Sequence, residues 1–198
     1  MIKRLFDITG ASLALLILIP VFLFIALSIK WTSAGSIFFR QERVGQLGRC
    51  FRILKFRTMY MNAEASGLLT IGKDSRITPI GHRLRQHKLD ELPQLIHVLS
   101  GTMSLVGPRP EVPKYVALYP AKARRVILSL RPGMTDWASI EMMQENQLLA
   151  TSKNPEQEYI DHILPKKIKH YLSYAKHHSL LGDIQILIAT LYRLIKSS

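Results

Sequence analysis

The sequence predicts a mainly α-helical, monotopic membrane protein that carries one small basic β-hairpin. Three observations predict it. A long uncharged apolar stretch lies near the N-terminus, two β-branched and aromatic runs flank a pair of glycines, and from Ile80 onward apolar residues recur at helical spacing.

The stretch from Ala11 to Ile29 holds no charge and is close to the ~20 apolar residues that a membrane span needs. Pro20 falls near its middle, removes a backbone donor and crowds the preceding turn, which predicts a kink or a break there. Lys3 and Arg4 precede the stretch while Lys30, Arg40 and Arg43 follow it, so the positive-inside rule finds no asymmetry to read. Residues 1–35 are therefore read as a re-entrant helix that enters one leaflet and returns, and residues 36–198 as a cytosol-facing domain. A full bitopic span is the rival. A secretory signal fits less well, because its apolar core is usually only ~7 to 15 residues.

One domain is the default for 198 residues. The formal net charge of +13, from 27 basic and 14 acidic residues, calls for an anionic partner: a phosphorylated substrate, an acidic membrane surface or a nucleic acid. A single cysteine, Cys50, excludes an internal disulfide framework and a multi-cysteine zinc site, in keeping with a reducing compartment.

Ser36 to Met59 reads as two strands around a Gly45 to Gly48 turn, with basic residues interleaved. Gly67 to Pro79 reads as a loop. A helix starts at Ile80, and a second starts with Asp90 as N-cap, Pro93 in its first turn, and Leu92, Leu95, Ile96 and Leu99 as its apolar stripe. Three prolines make Ser104 to Pro113 a stiff extended loop carrying Arg109, and Tyr115 to Leu130 follows as one basic helix. Arg131, Pro132 and Gly133 form a second rigid turn. The C-terminal helix from Gly182 carries a stripe of Ile184, Leu187, Ile188, Leu191, Leu194 and Ile195, which suits either the core or a membrane interface.

The residues with chemical potential are Arg85, Asp90, Glu91, Arg109 and Arg131. A helix N-terminus offers free amide protons and partial positive charge to phosphate groups, and it favours an ionised carboxylate. An ionised Asp90 is able to attack phosphorus, arginines clamp diphosphate oxygens, and adjacent carboxylates suit a divalent ion such as Mg²⁺. Each residue also has a plain reading as a cap or a surface charge. No Walker loop, nucleophile elbow or zinc grouping is present, and His177 and His178 read as a solvated pair. Net charge without a binding motif does not support a nucleic-acid partner.

Lys3, Arg4, Phe6 and Asp7, then FRILKFRTM at Phe51 to Met59, LDELPQL at Leu89 to Leu95, MSLVGPRP at Met103 to Pro110 and RPGMTDW at Arg131 to Trp137 together resemble the bacterial sugar transferases. More specifically, they resemble the small monotopic polyprenyl phosphate phosphoglycosyl transferases. The resemblance implies a re-entrant N-terminal helix, interfacial helices and an active site on the cytoplasmic face of the bacterial inner membrane. It implies that Asp90 captures a phosphosugar from a UDP-sugar with release of UMP, and that polyprenyl phosphate then takes the phosphosugar. Asp90 and Glu91 become the metal-binding and catalytic pair with Mg²⁺, and Arg85, Arg109, Arg131, Lys55 and Arg57 the substrate-binding candidates. The partners implied are the two substrates and the lipid bilayer, with a homodimer compatible.

Two departures stand out. Ile19 precedes Pro20 where the family commonly has Ser. The run after Arg131 reads Thr135, Asp136, Trp137, Ala138, Ser139, Ile140, Glu141, Met142, Met143, so the expected terminal arginine is missing and acidic residues enter. The alternative function is a membrane-anchored nucleotide-sugar binder or scaffold without catalysis.

Overall fold

A computed structural model describes residues 1–61, 63, 69–72 and 74–196; of the Gly67 to Pro79 loop, Gly67, Leu68 and Lys73 lie outside the described residues. The chain opens with helix α1, Ile2–Thr32, which runs through Pro20 without interruption. The break expected at Pro20 is not seen. One proline removes a single ladder bond, and Ile19 beside it offers no hydroxyl to stabilise an unwound turn.

Asp7, Ala11, Ile25 and Ile29 are the buried residues of α1. Asp7 and Ile25 are five whole turns apart, so both halves of the helix turn the same face to the body. Leu13, Leu16, Ile17, Leu23, Phe24 and Leu27 point away from it and are each more than half exposed. Polar anchors hold both ends. Near the start, Lys3 Nζ donates to Asp183 Oδ2 at 2.5 Å and to the Val106 carbonyl at 3.1 Å, and Asp7 accepts from Ser104 Oγ at 2.9 Å and Leu105 N at 3.0 Å. At the far end, Arg57 donates to the Ala34 carbonyl and, at 3.0 Å each, to the Ser33 carbonyl and Oγ.

Strands β1, Phe38–Val44, and β2, Cys50–Phe56, form the expected antiparallel hairpin, with Phe38 opposite Phe56 and Val44 opposite Cys50. Helix α2, Pro79–Gln86, is capped by Thr78, whose Oγ1 accepts from Gly81 N at 3.0 Å. A 3-10 turn, Leu89–Gln94, leads into α3, Leu95–Ser100. Asp90 is therefore inside the first turn rather than its cap; Lys88, in left-handed conformation at φ 55°, makes the reversal that opens the turn.

Two short strands, β3, Ser104–Val106, and β4, Gly133–Thr135, pair in parallel. That pairing is invisible as periodicity, because three-residue strands are too short to carry any. It depends on two glycines: a Cβ at Gly133 would lie 2.1 Å from Gly107 N. The basic helix expected over Tyr115 to Leu130 is two helices, α4, Pro113–Val116, and α5, Ala121–Ser129. Pro120 separates them, since the residue before a proline avoids helical geometry.

Helices α6, Trp137–Glu141, α7, Glu145–Ala150, and α8, Pro155–Glu158, lead through a π turn into α9, Leu164–His177, and α10, Leu180–Lys196. His177 and His178 are exposed, as read from the sequence. On α10 only Asp183 and Ile186 are buried, whereas Ile188, Leu191 and Ile195 are 61%, 61% and 78% exposed. These three residues of the stripe face away from the body, while Ile184, Leu187 and Leu194 are half-buried and Leu187 packs against the core. The core falls into three clusters, with α1 contributing Ala11 to the one around Val98, Met103 and Val106, and Ile25 and Ile29 to the one around Phe56 and Leu84.

Candidate active site

The 3-10 turn packs against β2 and α2, and this brings Asp90 and Glu91 beside Lys55. Glu91 Oε1 accepts from Lys55 Nζ at 2.9 Å and from Arg109 Nη2. Arg109 also donates through Nη1 to the Met134 carbonyl at 2.9 Å, which ties the proline-stiffened loop to β4. Two motifs far apart in sequence thus meet on one carboxylate. Burial alone would raise the Glu91 pKa, but Arg109 and then Lys55 and Lys88 hold it well below the ordinary value.

Asp90 behaves oppositely. It is buried, its Oδ1 has no hydrogen-bond partner among the described residues, and burial followed by the neighbouring Glu91 charge raises its pKa against the pull of Lys55, Arg85 and Lys88. Two adjacent carboxylates are thereby driven apart, a pattern typical of sites where charge does chemistry. Burial lowers the Lys55 pKa, with Glu91 opposing, and the Arg109 pKa is raised because Glu91 outweighs burial.

Arg85 donates through Nη2 to Thr70 Oγ1 at 2.9 Å, and its Nη1 has no partner among the described residues. Arg57 and Arg131 stand elsewhere. Arg57 is committed to the end of α1, and Arg131 lines a separate cavity with Lys3, Tyr174 and His178. Among the described residues no group of three or more His, Cys, Asp or Glu is arranged to hold a metal. Mg²⁺ needs less than that: it commonly takes one or two carboxylates and completes its shell with water and substrate phosphate. The orphaned Asp90 Oδ1 beside Glu91 fits such a partial set.

Sequence reasoning missed several buried polar residues. Gln94 is fully buried with neither amide atom bonded. Glu111 accepts from Tyr159 OH at 2.7 Å and Lys167 Nζ at 3.3 Å, and Lys167 also pairs with Glu145 at 2.8 Å. Only the Gln in LDELPQL had a sequence signal, its position four residues after Asp90. Of the acidic departures, Asp136 is the buried cap of α6, accepting from Ser139 N at 2.9 Å, and its charge helps raise the Arg109 pKa. Glu141 is mostly exposed and pairs with His170 at 2.8 Å.

A buried carboxylate oxygen without a partner among the described residues, in the field of Lys55, Arg85 and Lys88, is carried on a body with a long apolar helix, which suggests a membrane-associated protein with a cation-lined acidic site. The chain belongs to the bacterial sugar transferase family, whose model matches residues 1–197. It is 36% identical over 198 residues to a UDP-glucose:undecaprenyl-phosphate glucose-1-phosphate transferase of Xanthomonas campestris pv. campestris, covering 98% of this chain and 38% of the relative. It is 36% identical over 195 residues to a UDP-N-acetylgalactosamine-undecaprenyl-phosphate N-acetylgalactosaminephosphotransferase of Aeromonas hydrophila, covering 96% of this chain and 43% of that protein. The exopolysaccharide production protein ExoY of Rhizobium meliloti (strain 1021) is 40% identical over 151 residues, covering 68% of this chain and 66% of ExoY. The chain spans about two fifths of the length of the first two relatives.

Proposed function

We propose that the protein transfers a sugar-1-phosphate from a UDP-sugar to a polyprenyl phosphate, initiating a surface glycan. Asp90 attacks the sugar-bearing phosphorus of the donor; a bond forms from its carboxylate oxygen to phosphorus, and the bridging bond to the α-phosphate breaks with release of UMP. An oxygen of the polyprenyl phosphate then attacks the same phosphorus, and Asp90 leaves as the carboxylate. Splitting the transfer in this way replaces one difficult encounter with two easier ones.

The observation that carries the proposal is Asp90: buried, unpartnered at Oδ1, and within the field of Lys55 and Arg85. Arg109 and Lys55, both paired with Glu91, would exchange that pairing for donor phosphate oxygens when the donor binds, for which guanidinium geometry is well matched. Asp90 and Glu91 would hold Mg²⁺, which when bound supplies positive charge to neutralise the leaving phosphate. Because burial raises the Asp90 pKa, the nucleophile gains its charge as pH rises, and turnover falls off on the acid side.

Helix α1, unbroken at Pro20, is proposed to lie along the cytoplasmic face of the membrane with its exposed apolar side in one leaflet. A helix of 31 residues is about 46 Å long and could cross a bilayer. However, both of its ends are bonded to one folded body, through Lys3 and Arg4 at the start and through Arg57 at the finish. That favours both ends on one side of the membrane.

UMP release from a panel of UDP-sugars, with purified protein, Mg²⁺ and undecaprenyl phosphate, tests the reaction. Release that requires the acceptor and vanishes in Asp90→Ala supports it; undiminished release from Asp90→Ala refutes the nucleophile, and binding of a UDP-sugar without release favours the scaffold.

A further inference from the structure

The reaction proposed above makes no use of His97, yet this ring joins the two elements that build the site. His97 lies on α3, which continues directly from the turn that carries Asp90 and Glu91. Its Nε2 accepts from the Leu54 amide of β2 at 3.1 Å, and the next residue along β2 is Lys55, whose Nζ reaches Glu91 at 2.9 Å. One bond therefore ties the strand that carries the cation to the helix that follows the carboxylates.

The hairpin register leaves that amide available. In an antiparallel ladder the residues of alternate pairs turn their N–H groups outward. Arg57 N donates to the Ile37 carbonyl at 2.9 Å, so Ile37 with Arg57 and, by alternation, Phe39 with Lys55 are bonded pairs. Leu54, opposite Arg40, belongs to the other set, and its N–H points out of the ladder, where His97 meets it. Leu54 is half-buried, and a backbone donor in such a place needs an acceptor.

The ring is itself fixed. Phe51 meets it edge-on with ring centroids 5.4 Å apart, and the His97 carbonyl accepts from Met103 N at 3.0 Å, which holds the backbone beneath it. Burial, and then the Arg40 charge, lower the His97 pKa. The ring is thus neutral at pH 7, with its proton on Nδ1 and the lone pair of Nε2 turned to Leu54. His97 serves here as a rigid spacer with an acceptor at its tip, not as an acid or a base.

We infer that His97 is a positioning residue: it latches β2 to α3 and so sets Lys55 where it meets Glu91 and, in the transfer reading on which this consequence rests, the donor phosphate. Two substitutions separate the acceptor from the bulk of the ring. His97→Leu keeps an apolar side chain against Phe51 without an acceptor, and His97→Gln places an amide oxygen near the position of Nε2. In the full chain in detergent, hydrogen exchange at the Leu54 amide should be about tenfold faster in His97→Leu than in the wild type, with His97→Gln close to the wild type. Equal protection in all three overturns the latch, whatever the turnover.

Turnover is then read with undecaprenyl phosphate and the UDP-sugar that releases UMP fastest. In a two-step transfer, kcat/KM for the donor reports capture of the phosphosugar and kcat/KM for the acceptor reports its discharge. His97→Leu should lower the donor value about tenfold and leave the acceptor value within about twofold, and His97→Gln should recover the donor value. A loss shared equally by both values, as a smaller folded fraction gives, or one that His97→Gln does not recover, overturns the positioning role. No UMP release from the wild type with any donor removes the transfer reading, and the exchange measurement then decides the latch by itself.

Discussion

Glu91→Gln removes one negative charge from between two cations and changes almost nothing else in shape. In the wild type, Glu91 Oε1 receives both Lys55 and Arg109, and the three side chains are only 15%, 18% and 23% exposed. Removing one partner of a buried pair commonly costs about 3–5 kcal/mol, because the remaining charge is stranded. Residual exposure and the amide oxygen that replaces the carboxylate reduce this, so a loss of about 2–3 kcal/mol is expected. For a chain of this size that corresponds to roughly 4–12 °C in Tm, measured by thermal unfolding in detergent at pH 7. The sign with pH is fixed. The Glu91 pKa is depressed on folding, so its contribution is complete above the unfolded carboxylate value and is lost as pH falls through the folded value. The gap between wild type and variant should therefore narrow under acid. Uridine diphosphate added without divalent metal should raise the Tm of Glu91→Gln more than that of the wild type, since Lys55 and Arg109 are then released for phosphate. An unchanged Tm, or a gap that does not narrow with acid, would refute the stranded-cation account.

Asp90→Asn should abolish UMP release and yet raise Tm at pH 7 to 8. The Asp90 pKa is raised on folding, so the native state loses stability as pH climbs through that value, and the neutral amide escapes the loss; a lower Tm at that pH would contradict it. Arg57→Ala withdraws three hydrogen bonds from the end of α1, at about 2 kcal/mol, and should expose the residue 33–34 segment to limited proteolysis without altering affinity for uridine diphosphate. Gly133→Ala forces a Cβ to within 2.1 Å of the Gly107 backbone, so the β3 and β4 pair must separate. Little folded protein should survive, read by size-exclusion recovery, and recovery at the wild-type level would show that the pair is not held so closely.

The sequence by itself determined what depends on neighbours along the chain. The apolar run of α1, the hairpin with its basic interleaving and the stiffness around Arg109 follow from local sterics and spacing, and the linked motifs carry the family. Candidate residues Asp90, Glu91, Lys55, Arg85 and Arg109 were legible by type and context. Tertiary structure alone decided which of them meet. It set Lys55 and Arg109, 36 and 18 residues from Glu91, on a single oxygen, and left Asp90 Oδ1 bare. It withdrew Arg57 to the end of α1 and Arg131 to another cavity, although both had looked equivalent to Arg109 as loop or strand cations. It also turned Ile188, Leu191 and Ile195 of the α10 stripe outward while packing Leu187 on the core, a division that periodicity cannot make, because a core and a membrane reward the same apolar face. Local geometry is encoded by adjacent residues, whereas charge pairing and burial depend on distances that only the closed chain defines.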